Sequence, residues 1–291
     1  FTTGTPLCAR IVNSDQHSKD YSILADKMRP GHADYAGHVR YQGFNDYRGG
    51  GHFSGRLTAP LVFAGAVAKQ ALAQYGIIVG SHILQINDIK EERFNPMGVS
   101  DAELAELHTK KFAVMDDAVG EKMQERILQA KSELNSVGGV IEAIALHLPA
   151  GIGAPYFDSV ESMLSHALFS VPAVKGVEFG DGFGFARLTG AEANDALHYV
   201  DGKVKALTNH NGGVTGGITN GMPFVVRVAI KPTPSIAREQ QTVSLKEQAD
   251  TTLAIVGRHD PCIVQRAVPV IEAVVAWTLW DLLLEAKKWE K

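Results

Sequence analysis

Cysteine is nearly absent from this sequence: Cys8 and Cys262 are the two in 291 residues. That excludes a disulfide framework, and a reducing cytoplasm is the simplest compartment for such a chain. Positive charge is also in deficit. A formal net charge of −4 excludes a nucleic-acid binder that works through a broad basic surface, so any anion site has to be local. No run reaches the eighteen or so uninterrupted apolar residues that mark a membrane span. The most apolar stretch, 267–284, is interrupted by Pro269, Glu272 and Asp281, so no membrane partner is expected. The start lacks an initiator methionine, a basic segment and the apolar stretch of a signal peptide, so Phe1 reads as something other than the biological N-terminus. A dinucleotide-binding turn is missing too, because the glycines at 180–186 are not followed by a helical pattern.

What is present is the composition of an ordinary globular protein, 45% hydrophobic and 21% charged, in a chain long enough to bury a core without staples. Short strands, turns and about five helices occur without strand–helix–strand alternation, which points to the α+β class. The periodicity predicts a short strand at 5–13, a buried helix at 57–75 and a strand at 77–86. Ser100 with Glu103 has the spacing of a helix-capping box. An amphipathic helix is expected at 116–137, with Val119, Met123, Ile127, Leu128 and Leu134 on its apolar face. A strand entering from Gly138 leaves by Pro149, with His147 as a core or edge residue, and a helix follows that stops near Pro172. The strand FVVRVAIKP delivers Lys231 to its end. The polar tract 238–250 reads as mobile. Pro261 suits a helix start, and the last helix is expected over 264–289.

Two glycine clusters carry the candidate chemistry. Residues 29–56, RPGHADYAGHVRYQGFNDYRGGGHFSGR, interleave seven glycines with Arg29, His32, His38, Arg40, Arg48, His52 and Arg56. Such a segment bends close to a ligand and offers donors and titratable groups to a multiply charged anion near neutral pH. The helix after it would present its N-terminus to a phosphate or carboxylate. In the second cluster Gly212, Gly213, Gly216, Gly217 and Gly221 let successive amides approach a planar ring or a phosphate, and Lys231, Thr233 and Ser235 stand just beyond. From the residues alone, this is a site for an anionic, phosphorylated ligand.

RPGHAD, DYRGGG with a Ser-Gly-Arg after it, NHNGGVTGGITNG, KPTPS and GRHDPC stand in one order along the whole chain, and together they resemble chorismate synthase. The resemblance implies a β-α-β sandwich with helices between antiparallel sheets. It also implies a single domain over 1–291, lacking the family's N-terminal segment, and a homotetramer. The implied reaction is a 1,4-anti elimination of phosphate from 5-enolpyruvylshikimate 3-phosphate, with reduced FMN required and no net redox change. Whether NADPH also reduces the flavin is left open. Carried over by motif, His32 and Asp260 would be catalytic, and Arg56 and Arg258 would bind substrate. The cofactor would be held by His52, Phe53, Ser54, Pro172, Ala173, Gly216, Lys231, Pro232, Thr233, Pro234, Ser235 and Arg258. One departure stands out: the family's usual RSSAR is here His52-Phe53-Ser54-Gly55-Arg56. The other reading is a non-catalytic flavin- or anion-binding protein of the same fold.

Overall fold

Four runs rich in β-branched residues, each too short for a buried helix, pair with a two-residue edge strand into one five-stranded antiparallel sheet in the computed structural model, which describes residues 3–12, 23–255 and 260–287. In chain order the elements are α1 (Asp34–Arg40), α2 (Ala59–Ala73), β1 (Ile78–Ile86), β2 (Ile89–Lys90), α3 (Asp101–Thr109), α4 (Asp117–Ser132), β3 (Gly139–Leu146), α5 (Val160–Phe169) and β4 (Val174–Phe179). They continue with α6 (Gly190–Ala193), β5 (Leu197–Val200), β6 (Lys203–Ala206), β7 (Val214–Thr215), β8 (Ile218–Thr219), β9 (Phe224–Ile230), β10 (Gln240–Ser244), β11 (Ala249–Leu253) and α7 (Val264–Lys287). The sheet runs β2-β1-β3-β9-β4, and β5–β6, β7–β8 and β10–β11 are separate two-stranded hairpins. Helices with antiparallel strands make this the α+β fold that the pattern indicated.

Alternation along the strands sorts side chains to two faces. Ile141, Ala143, Val226 and Val228 pack with α2, α5 and α7 in the main core. Ile144, Leu146 and Val225 meet Phe94 and the α3 residues Leu104 and Leu107 on the other face. The helix α7 is central: Val270 to Ala276 are buried without a break, so over those two turns no side of it faces water, while Gln265, Arg266, Pro269 and Asp281 are exposed. By length and composition alone it could cross a membrane, but 72% of its apolar window is buried inside this fold. It approaches α2 so closely that a Cβ on Gly65 would overlap Ala273. Its buried Glu272 accepts from Ser81 Oγ at 2.8 Å and pairs with Lys69 and with His108 Nε2 at 3.2 Å. One carboxylate thus ties α7 to α2, β1 and α3.

A row of charges crosses the sheet where apolar residues would be the default. His82, Glu142, Arg227 and Glu178 are direct cross-strand partners on β1, β3, β9 and β4. His82 Nε2 donates to Glu142 at 3.2 Å, and Nδ1 donates to Glu91. Arg227 donates to Glu142 at 3.2 Å and to Glu178 at 2.6 Å, and the Phe94 N–H donates to Glu142 at 2.6 Å. Burial opposes charge on His82, but hydrogen bonds to Glu142 and Glu91 outweigh it and raise its pKa. For Glu142 burial would raise the pKa, and the bonds from His82 and Phe94 bring it below the usual value. Each charge is therefore matched, which is the condition for keeping it in a core.

Several local expectations need correction. Residues 5–12 form no strand: Leu7, Ile11 and Val12 are exposed, and no described strand pairs with them. On α4 the buried stripe is Gly120, Met123 and Ala130, while Leu128 and Leu134 are exposed. Small residues, invisible to a search for large apolar ones, let this helix close on Val114. His147 lies past the end of β3 at φ +63°, exposed beside Asp101, and is neither core nor edge. The tract expected to be mobile contains β10, paired along five residues with β11. Pro261 precedes α7 by three residues rather than opening it.

The charge row makes stability depend on pH in a defined direction. Glu142 contributes fully above its ordinary 4.5 and loses that contribution as pH falls through its lower folded value. His82 contributes fully below 6.5 and loses it as pH rises through its higher folded value. Glu142→Gln is expected to cost about 3–5 kcal/mol in urea unfolding, the range for breaking a buried pair. The difference from the parent protein should be largest between roughly pH 4.5 and 6.5. A cost under about 1 kcal/mol, flat with pH, would contradict the charge-matched row.

Candidate active site

Because β9 runs antiparallel to both neighbours, Ile230 shares one end of the sheet with Gly139 and Val174, and Phe224 lies at the other end with Ala145. The Ile230 end collects most of the residues singled out from the sequence. The Lys231 N–H donates to Ala173 O at 2.9 Å, bringing Pro172 and Ala173 beside the 231–235 segment. Ala173 holds φ +76°, a costly backbone for a residue with a Cβ. Ser136 Oγ donates to Thr233 O at 2.7 Å, and the Val137 N–H donates to Pro261 O at 2.8 Å, so Asp260 is drawn to the same rim.

The first glycine cluster docks onto this end. Arg29 Nη1 donates to Ser235 Oγ at 3.2 Å, and Lys231 Nζ donates to Gly31 O. Gly31, at φ +70°, lies where a Cβ would sit 3.5 Å from Pro234. The joint is organised by Asp34, the first residue of α1 and 6% exposed. Its carboxylate accepts from the Arg29 N–H at 3.1 Å, Arg29 Nε at 2.7 Å and Arg29 Nη2 at 2.8 Å, and it lies 2.6 Å from His32 Nδ1. Burial pushes its pKa up, yet the bonds from Arg29 and His32 hold it far below the usual carboxylate range.

This geometry assigns the histidine tautomer. Arg29 Nη2 also lies 3.1 Å from His32 Nδ1, but a guanidinium only donates and an ionised carboxylate only accepts. The shorter contact to Asp34 therefore fixes a proton on Nδ1, and Nε2 is left to take up or release one. That nitrogen faces the 48–53 turn, where a Cβ on Gly50 would come within 3.6 Å of it. The same turn is anchored by Phe53, whose ring fills the space left by Gly37 and lies 6.5 Å from Tyr41. Ser54 Oγ accepts from the Arg56 N–H at 3.4 Å. His52 and the Arg56 side chain are exposed.

Positive charge is concentrated here. Burial, and then the nearby Lys175, lower the Lys231 pKa. Among the described residues Thr233 Oγ1 is buried with no partner. Asp260 pairs with Arg266 Nη1 at 2.8 Å and is partly open to solvent. Burial pushes the Cys262 thiol up to about 11, which makes it a poor nucleophile. Arg258 lies outside the described residues.

Gly216 does not join this group. It sits in the β7–β8 hairpin, whose neighbour Gly217 accepts from the Val160 N–H at 3.0 Å, beside the Phe224 end of β9. The seven-residue strand β9 separates it from Lys231 by roughly 20 Å, at about 3.3 Å per residue. Sequence reasoning missed two residues, Asp34 and Lys175. Asp34 had a signal, the carboxylate two positions after the histidine in RPGHAD; Lys175 had none.

A sequence model of the family described as chorismate synthase matches residues 1–284. The chain is 46% identical over 290 residues to a chorismate synthase of Pyrococcus abyssi and 47% identical over 290 residues to that of Thermococcus gammatolerans. In both cases all of this chain and 80% of the relative are covered. A solved structure titled as chorismate synthase superposes with a TM-score of 0.70 at 30% identity, over 87% of this chain and 70% of that one.

Asp34→Asn tests the joint. Asparagine cannot match the charges of both Arg29 and His32, so urea unfolding at pH 7 should show a loss of about 3 kcal/mol. Because the Asp34 pKa is depressed, that loss should persist down through pH 4 and fade only in stronger acid. A variant as stable as the parent at pH 7 would contradict the role given to Asp34.

Proposed function

This chain belongs to the chorismate synthase family, and from that premise we propose that it converts 5-enolpyruvylshikimate 3-phosphate to chorismate by 1,4-anti elimination, in which phosphate leaves C3 and a proton leaves C6. It is a carbon–oxygen lyase of aromatic amino acid biosynthesis. The observation that supports this reading best is the pairing of a tautomer-fixed His32 with a cluster of cations at one sheet end. A substrate with a phosphate and two carboxylates requires such a cluster.

Each residue then has a task. His32 holds or gives up a proton at Nε2, toward the flavin or the departing phosphate. Asp34 keeps the Nδ1 proton in place and orients the ring. Arg29, already held by Asp34 and Ser235, fixes the loop, and the exposed Arg56 remains to bind a substrate anion. Asp260 takes up a proton at the rim. The residues that would hold a flavin nucleotide by its phosphate end are the Lys231 ammonium and the Thr233 hydroxyl, which lie in one five-residue segment with Pro232, Pro234 and Ser235. Reduced FMN held there would supply electron density transiently without being consumed, so the overall reaction would be redox-neutral. Gly216, about a strand's length away, is not placed at that phosphate end, and we take the assembly to be a homotetramer. Free Cys8 and Cys262 suit a cytoplasmic enzyme. No feature of the site favours a non-catalytic flavin- or anion-binding protein.

Anaerobic incubation with reduced FMN and 5-enolpyruvylshikimate 3-phosphate should release inorganic phosphate, and omission of the flavin should abolish the release. His32→Gln keeps hydrogen-bonding capacity but cannot titrate, so its turnover should fall roughly 100-fold with little change in substrate affinity. Full activity in that variant would remove His32 from proton transfer, and no release by the parent protein would overturn the function.

A further inference from the structure

A lysine outside every motif stands at the same sheet end. The register of β4 against β9 shifts between Val174, opposite Ile230, and Gly176, opposite Ala229. Lys175 is thus the extra residue of a β-bulge, a device that breaks the ladder locally and re-aims a side chain. It follows Ala173 by two positions, and Ala173 O holds the Lys231 N–H. Lys175 is exposed and has no hydrogen bond or ion pair among the described residues, while its charge opposes that of Lys231.

Two ammonium groups near each other are unfavourable unless an anion lies between them. The carboxylates that reach this rim are already engaged: Asp34 by Arg29 and His32, and Asp260 by Arg266. Among the described residues Lys231 donates only to a neutral carbonyl, and the Thr233 hydroxyl oxygen is buried without a partner. The missing component is an anion with several acceptor oxygens that can bridge two cations and a hydroxyl.

We propose that Lys175, placed by the bulge, joins Lys231 and the Thr233 hydroxyl in binding a phosphate monoester dianion. This rests on the flavin- and substrate-binding reading above, in which that chemistry has two sources, the FMN phosphate and the substrate phosphate. Arginine at 175 would keep the contact, whereas glutamine would keep the side-chain length but lose the charge.

The test compares the parent protein with Lys175→Gln and Lys175→Arg. Oxidised FMN and riboflavin are titrated by flavin fluorescence, 5-enolpyruvylshikimate 3-phosphate by calorimetry, and inorganic phosphate alone by ³¹P line broadening. Lys175→Gln should weaken inorganic phosphate roughly ten-fold, as expected for loss of one bond to a charged group, and Lys175→Arg should restore most of the affinity. If the FMN phosphate is the ligand, FMN weakens by a similar factor and riboflavin, which has no phosphate, does not. If the substrate phosphate is the ligand, the substrate weakens and both flavins are unchanged. Equal weakening of FMN and riboflavin, or unchanged inorganic phosphate affinity, overturns the proposal. The inorganic phosphate arm decides Lys175 even if the parent protein binds neither flavin nor substrate, a result that would instead defeat the functional reading.

Discussion

The carboxylate of Asp34 is the constraint on which the candidate site depends. It is nearly enclosed and still ionised, and it gathers the Arg29 backbone N–H, two Arg29 side-chain nitrogens and His32 Nδ1 around its two oxygens. Removing any partner would leave charge in a place where water cannot compensate fully. A segment with seven glycines in 28 residues loses much conformational entropy on ordering, and this cluster of charge-assisted bonds offsets that loss at one point. The same bonds aim Arg29 at Ser235 and so lock the loop to the end of β9. Loop order and histidine chemistry thus have one origin.

The scaffold applies the same principle twice more. Glu272 on the enclosed helix α7 is matched by Lys69, His108 and Ser81, and the row from His82 to Glu178 threads charges across a sheet buried on both faces. Partnered burial of this kind adds little stability over apolar packing, but it penalises a slipped register severely. A slip of β9 by one residue would set Arg227 against alanine or isoleucine on β3 in place of Glu142. The position of Ile230, and with it the 231–235 segment, is held by that register.

Much of this was legible in the sequence. Long periodic segments such as β1, β9 and α7 could be read from their apolar spacing, and five motif blocks in order identified the family; α2 forms the expected helix but not a buried one, since only Gly65, Ala68 and Leu72 are buried and Phe63 and Val67 are exposed. Other features depended on contacts that no local pattern encodes. The apolar residues of 5–12 imitate a strand but find no partner among the described residues. Leu128 and Leu134 look like core until Gly120 and Ala130 prove to be the close-packed positions. Gly216 and Lys231 belong to neighbouring motifs, yet a whole strand separates them in space. Lys175 gave no signal, because a bulge is a property of two strands together and not of one sequence.

The central claim is that Asp34 holds His32 with its proton on Nδ1 and leaves Nε2 to act. Long-range ¹H–¹⁵N correlation of ¹⁵N-labelled histidine reads the two ring nitrogens separately, at a pH where the imidazole is neutral. The account predicts that His32 shows a protonated Nδ1 and a bare Nε2 in the parent protein, and that Asp34→Asn moves the population toward the opposite tautomer. A native His32 with its proton on Nε2 would contradict it.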